Sequence, residues 1–381
     1  MEKIFQKNNH RFFLMAGLFL IVFAIVLQSC KKESLNTSLQ GQLKPEHTLL
    51  NNFEQVNLVA NNSNYGAAMI DPNLINGWGI AFAPAASGPA WVSAADAGVS
   101  VIYNSSTGAT LRPPVSIPTN DAATGGAPTG QVFNSTTGFK LSNGNPARFI
   151  FAGEDGVISA WNAGNAAEAA INNSNASYKG ITIGMNGTTP YLYAANFKQN
   201  RIDVWDTLWH PVNLPFSDVS VPANYTPFNV QNIDGKIYVV YAKRLNGGDE
   251  ETQGVGTGII NVFNPDGTFL RNFTKHGVLN APWGITAAPA SFWGSSASAQ
   301  KTILVGNFGN GYINAFSESG SYLGTLSNNN KPIEIEGLWG LSFAPAAATS
   351  VNPNWLFFAA GPADEEDGLF GYIKPGAPIT P

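Results

Sequence analysis

One eight-residue phrase occurs three times in this chain, and no other feature limits the fold as tightly. It reads GWGIAFAP at 77–84, PWGITAAP at 282–289 and LWGLSFAP at 338–345. Its central glycine defines a column of Gly79, Gly284 and Gly340, the last two 56 residues apart. Weaker copies lie between them: PTGQVFN at 128–134 supplies Gly130, YKGITIG at 178–184 supplies Gly180, and TPFNVQN at 226–232 places Phe228 in the same slot. Successive anchors are then 51, 50, 48, 56 and 56 residues apart, which divides the chain into six units.

Two further columns recur in every unit. One is an apolar run: AWVSAA, RFIFAG, YLYAAN, KIYVVY, TILVGN and WLFFAA. The other ends in an aromatic residue in five units, at Tyr103, Trp161, Trp205, Phe263 and Phe316, and is degenerate in the sixth, LFGYI at 369–373. Turn-forming sequences such as NSSTG at 104–108 and NPDGT at 264–268 follow it. Each unit therefore predicts four short antiparallel strands, lettered A to D here, which is the repeat of a β-propeller blade. The sixth unit stops after strand C, while FEQVNLVAN at 53–61 precedes the first unit with no partners of its own. Placed as strand D of the sixth blade, it closes the ring and removes a free sheet edge. The expected fold is all-β: a six-bladed β-propeller over 53–377, with a tail at 378–381. The glycine column lets neighbouring blades crowd at the axis.

Composition narrows the function classes. Charged residues are 12% of the chain, the net charge is −5 and no basic block is present, so the footprint of a nucleic-acid binder is missing. Forty glycines and 24 prolines suit many turns rather than long helices. A monomer is expected. Lys3, Lys7 and Arg11 precede sixteen apolar residues, Phe12 to Leu27, too short for a comfortable membrane span. That layout predicts a signal peptide over 1–29. It ends in LQSC, which resembles a bacterial lipobox with Cys30, the only cysteine, as the lipidated residue. The polar stretch 30–52 then reads as a flexible tether. The membrane partner would be reached through this lipid, at the outer membrane or cell surface of a Gram-negative bacterium.

DPNLINGWGIAFAP, ARFIFAGEDGVISAWN, LVGNFGNGYINAF and AGPADEEDGLFGYI together resemble an uncharacterised bacterial propeller family, first catalogued among proteins bearing PEP-CTERM sorting tails. The chain departs from that pattern in carrying a lipobox-like segment, so a different anchoring is expected. The resemblance implies the fold and no reaction. AANFKQNRIDVWD at 194–206 also resembles the NHL-type repeat and, more distantly, six-bladed lactonases and streptogramin lyases. Those enzymes place a divalent metal or a catalytic histidine on the face that carries the B–C and D–A loops.

On that face the B–C loops supply Asp96, Glu154, Asp155, Asn196 and Asn307, with the acidic GPADEEDG at 361–368. Such oxygens suit Ca2+ or Mg2+, and the same residue types also serve simply as turn formers. Trp78, Trp283 and Trp339 lead in from the D–A loops, either to stack on a flat ligand or to fill gaps between blades. The equivalent Thr129 and Lys179 are not aromatic, so a platform would be one-sided. A nucleophile elbow is not found, and of His47, His210 and His276 only His276 falls on this face. The longest B–C loop, LNGGDEETQGVGTG at 245–258, is acidic and glycine-rich. Two functions are expected from these residues. One is a lipid-anchored binding scaffold for a carbohydrate or protein; the other is a divalent-metal-dependent hydrolase or lyase of the lactonase-like type.

Overall fold

A computed structural model describes residues 47–50, 52–296 and 301–376. The signal segment 1–29, Cys30 and the tail 378–381 lie outside these residues. The chain forms a ring of six sheets, each the antiparallel blade that the columns predict. Strands A are Gly77–Phe82, Pro128–Phe133, Tyr178–Asn186, Tyr225–Ile233, Pro282–Ala288 and Leu338–Phe343. Strands B and C follow as adjacent hairpin partners in every blade. Phe53–Ala60 pairs antiparallel with Leu369–Pro375 and is the fourth strand of blade 6, so the first and last parts of the ring are joined by backbone hydrogen bonds. In blade 3 the fourth position holds only a single bridge, Trp205 to Pro211, beside three strands.

Strand alternation sends successive side chains to opposite faces, and here each face meets a neighbouring blade. Ala90, Val92 and Ala94 pack toward blade 6, while Trp91 between them packs on Phe149 of blade 2 with ring centroids 3.9 Å apart. Ile150 and Ala152 of blade 2 pack in turn toward blade 3. Six clusters of this kind, among the described residues, fill the six gaps between blades. The core is thus six wedges arranged around an axis, and each wedge needs both of its neighbours.

At the axis strand A of every blade shifts register at the repeated phrase, for example between Gly77 and Ile80 and between Leu338 and Leu341. A Cβ on Gly79 would lie 2.6 Å from the Thr129 carbonyl oxygen, and one on Gly340 would lie 2.4 Å from that of Trp78. Backbone meets backbone there, so the glycine is required by close approach and not by its dihedral angles. One position is corrected: Asn229, not Phe228, occupies the glycine slot of blade 4. Its side-chain amide donates to the Trp283 carbonyl oxygen at 2.8 Å, and it fits because Gly180 beside it has no side chain. Phe228 belongs one position earlier, with the tryptophans. Gly79→Ala should destabilise the protein by about 3 kcal/mol, because neither neighbouring backbone can retreat without opening a wedge. Urea unfolding of the variant measures this, and a loss below about 1 kcal/mol would contradict the close-packed axis.

The segment expected to be a tether meets the body before residue 53. Leu49 and Leu50 add in parallel to the outer strand of blade 5, opposite Thr325 and Leu326. His47 is within 3.0 Å of the Thr325 hydroxyl. That outer strand offers unpaired backbone groups, and a short apolar segment ending the polar run satisfies them.

Candidate functional site

The B–C and D–A loops gather at one end of the axis, and the first strands bring one side chain per blade to its centre. These are Trp78, Thr129, Lys179, Phe228, Trp283 and Trp339, the residues immediately before the glycine slot. The three indoles do not face solvent: Trp78, Trp283 and Trp339 are 2%, 5% and 1% exposed. Trp339 is stacked between Trp78 and Phe308, with centroids at 3.5 and 3.9 Å, and Trp283 meets both indoles edge-on. With Phe197 and Phe228 they form an apolar plug in the axis. Beyond it the axis narrows to a cavity of about 40 Å3 ringed by the glycine slot. The Trp339 ring nitrogen donates to the Asn76 side-chain oxygen, while those of Trp78 and Trp283 are buried without an acceptor in the protein.

Lys179 stands in the same ring and is 2% exposed. A buried ammonium needs a partner, and Glu154 from the B–C loop of blade 2 is ion-paired with it. The Lys179 nitrogen also lies over the Trp78 ring, 5.4 Å from its centroid. Its protonated form is favoured despite burial, because Glu154, Glu250 and Glu251 hold it charged. Glu251, from the long acidic loop of blade 4, is pushed above the usual carboxylate range by burial, with added repulsion from Glu250 and Glu154. Glu365, from the acidic loop of blade 6, is pushed up to about 7 by burial, then by repulsion from Glu251 and Glu154. Asp96 at the rim is raised by desolvation as well, with Glu154 again adding to the effect.

Glu365 sits in an unusual backbone. Ala363, Asp364 and Glu365 all have left-handed φ, at 58°, 54° and 70°. Each such residue costs on the order of 1 kcal/mol. The Glu336 carboxylate caps this loop by accepting from the Ala363 N–H at 3.1 Å, and the Asn76 side-chain amide donates to Glu365 at 3.3 Å. Asn76 thereby links the Trp339 indole to the Glu365 carboxylate. Stability should therefore fall as pH rises from 4.5 to 7, since the folded state holds a proton that the unfolded state releases. Glu365→Gln should remove that slope and stabilise the protein by about 2–3 kcal/mol at pH 8, with little effect at pH 5. Thermal unfolding at the two pH values measures the difference.

The remaining residues read from the loops divide clearly. Asn196 and Asn307 are fully buried and hold backbone: Asn196 accepts from the Gln199 N–H and donates to Asp203, and Asn307 donates to the Val278 carbonyl oxygen. The Asp155 side chain accepts from the Val157 N–H, and its carboxyl is raised by burial. The His276 ring is tied to the Gly256 carbonyl oxygen at 2.9 Å, and His210 lies exposed at the C–D turn of blade 3. Among the described residues, no three histidine, cysteine, aspartate or glutamate side chains are grouped so as to hold a metal ion. What the structure brings within electrostatic reach of one another is Lys179, Glu154, Glu251 and Glu365; Lys179 and Glu251 were not singled out as site residues, and Glu365 lies in the acidic loop 361–368 that was. The signal for Lys179 was present: a charged residue in a column otherwise buried must be paired.

A six-bladed propeller with a buried Lys179–Glu154 pair beside its axial plug is therefore the class of protein in hand. No family model matches the chain. It is 33% identical over 332 residues to the uncharacterised protein R648 of Acanthamoeba polyphaga mimivirus, covering 84% of this chain and 80% of that protein. A second uncharacterised protein of the same virus, L690, is 33% identical over 340 residues, covering 84% of this chain and 85% of its own length. The chain belongs to the family of these viral proteins. This corrects the placement in a bacterial PEP-CTERM-associated family. The phrases behind that resemblance are the axial glycines and inner strands, which any closed ring of this spacing needs. Among solved structures, an α-L-arabinofuranosidase of Fusarium graminearum shares the fold, with 11% identity, a TM-score of 0.52, and 85% of this chain and 98% of that one covered. A streptogramin B lyase aligns with a TM-score of 0.48 at 14% identity over 84% of this chain and 97% of that one.

Proposed function

We propose that this protein is a binding scaffold whose axial mouth takes the basic group of a partner protein. The observation that carries the reading is the charge arrangement: Glu154, Glu251 and Glu365, from blades 2, 4 and 6, lie within electrostatic reach of one buried lysine that is already paired with Glu154. Negative charge is in surplus there and is costly while partly buried. A lysine or arginine side chain entering the mouth relieves that cost, and the carboxyls lose protons as it binds. Affinity should thus rise with pH through the titration of Glu365 near 7. The probe is tetralysine, read by thermal shift and by calorimetry at pH 6 and pH 8. Binding should be tighter at pH 8 by about tenfold. It should be lost in Glu251→Gln/Glu365→Gln and kept when the remote Asp234 and Glu318 are neutralised. Equal binding in both variants would mean attraction by net charge alone and would contradict the reading.

A hydrolase reading draws on one observation. Glu365, pushed up to about 7, can hold a proton near neutral pH within electrostatic reach of Glu154, and a pair of carboxyls serves glycosidic hydrolysis. It uses no metal, unlike the lactonase-like form expected from the sequence. Release of p-nitrophenol from aryl arabinofuranosides, abolished by Glu365→Gln, tests it.

A further inference from the structure

Blade 3 differs from the other five in its outer edge. After strand C, Arg201–Trp205, the chain returns for one bridge and then leaves the sheet. The only backbone bonds on that side run from the Val212 N–H to the Val204 carbonyl oxygen and from the Asp206 N–H to the His210 carbonyl oxygen. Pro211, Pro215 and Pro222 fall in the departing segment. Pro211 and Pro215 fix their own φ on either side of Val212, and the chain leaves the sheet after that residue. The alternation that turns Val204 outward also turns the N–H and carbonyl of Ile202 outward.

A cleft of about 760 Å3 lies where that strand would be, between Arg201–Trp205 and the excursion that includes Leu214, Phe216 and Val221. Its volume is in the range of binding pockets. The apolar wall is set by packing, as Phe216 meets Tyr193 and Phe263 with centroids at 5.6 and 5.3 Å. Asp218 lies on the rim, and its carboxylate accepts only from neutral groups: Asn261 at 3.0 Å, and the N–H and hydroxyl of Ser220. Asp203, deeper in, already has Arg201. Elsewhere the molecule uses its outer edges in this way. Leu49–Leu50 adds to the outer strand of blade 5, and Met69–Ile70 adds to that of blade 6.

We propose that the open edge of blade 3 docks an extended peptide segment of a partner protein, which adds as the fourth strand and places a lysine or arginine on Asp218. Backbone hydrogen bonds to the N–H and carbonyl of Ile202, beyond the Val204–Val212 pair, give affinity, and alternate side chains enter the apolar cleft. The site is separate from the axial mouth and does not depend on the reading given to it.

The test uses the protein with a fluorescent peptide of sequence FLRNFTK, the fourth strand of blade 4, an extended probe whose alternate positions are Phe, Arg, Phe and Lys. Saturating peptide should slow hydrogen exchange at the Ile202 amide. Methylating alternate peptide nitrogens should weaken binding by about tenfold, as backbone hydrogen bonding to Ile202 is lost. Asp218→Asn should weaken it by about threefold, and a peptide with glutamine in place of both basic residues should not sense that change. Equal binding of the methylated peptide, or unchanged exchange at the Ile202 amide, overturns the proposal. Protection of 201–205 by dimerisation without peptide also overturns it, since the edge would then belong to a second copy.

Discussion

A chain beginning at Asn61 is expected not to fold cooperatively, although it retains every strand of five blades. The missing segment pairs with Leu369–Pro375 at seven registered positions, from Phe53 opposite Pro375 to Ala60 opposite Leu369. It also buries Phe53, Leu58 and Val59 in the wedges on both sides of blade 6. Burial of three such side chains is worth about 6 kcal/mol, against a total stability of about 5–15 kcal/mol for a typical protein. The cut also leaves a long apolar edge open to other chains. Aggregation or a melting temperature lower by tens of degrees is the expected result. A control chain beginning at Asn52 loses, among the described residues, the Leu49–Leu50 addition and the contacts of His47 and Thr48 with Thr325, and should melt within a few degrees of the parent. Unchanged melting of the Asn61 chain would mean that the ring closes by other contacts.

The second large effect concerns the buried ion pair. Lys179→Met leaves Glu154, Glu251 and Glu365 facing one another with no cation among them. Breaking a buried pair on one side costs about 3–5 kcal/mol, and the loss should be greatest at pH 8. At pH 5 the Glu365 carboxyl is protonated and the loss should shrink. Lys179→Met/Glu154→Gln should recover most of the stability, because the uncompensated charge has gone. Urea unfolding of the four proteins in this cycle at both pH values measures the coupling. A loss below about 1 kcal/mol with no dependence on pH would show that the lysine is not the centre of the charge arrangement.

The ring was legible because closure repeats its demands. A glycine is needed wherever two blade backbones meet, and an apolar run wherever a second strand lies between wedges, so both recur at the spacing of the blades. The slot in blade 4 was misplaced by one residue because its glycine is replaced by Asn229, whose side chain spans to Trp283 instead. The Leu49–Leu50 addition, inside the stretch read as a tether, was not legible because it is only two residues long and pairs with a partner nearly three hundred positions away. Such pairing has no local signature. The open edge of blade 3 was likewise missed, although the prolines beside it stand in the sequence.

The site was legible only in part, for the same physical reason. Aspartate and asparagine in loops look alike whether they hold a turn, as Asn196 and Asn307 do, or face a common mouth, as Asp96 and Glu154 do. The tryptophans read equally as a ligand platform or as fillers between blades, and in the structure their rings stack on one another and plug the axis. Glu365 owes its place to three successive left-handed residues, a conformation that none of their side chains announces.

The measurement closest to the central claim is the titration of the Glu365 carboxyl by carbon-13 NMR, assigned with Glu365→Gln, without and with saturating tetralysine. The account predicts a midpoint near 7 in the free protein, falling toward the ordinary 4.5 when the probe binds, as a cation enters the mouth. A midpoint near 4.5 in the free protein, or one near 7 that the probe leaves in place, would contradict it.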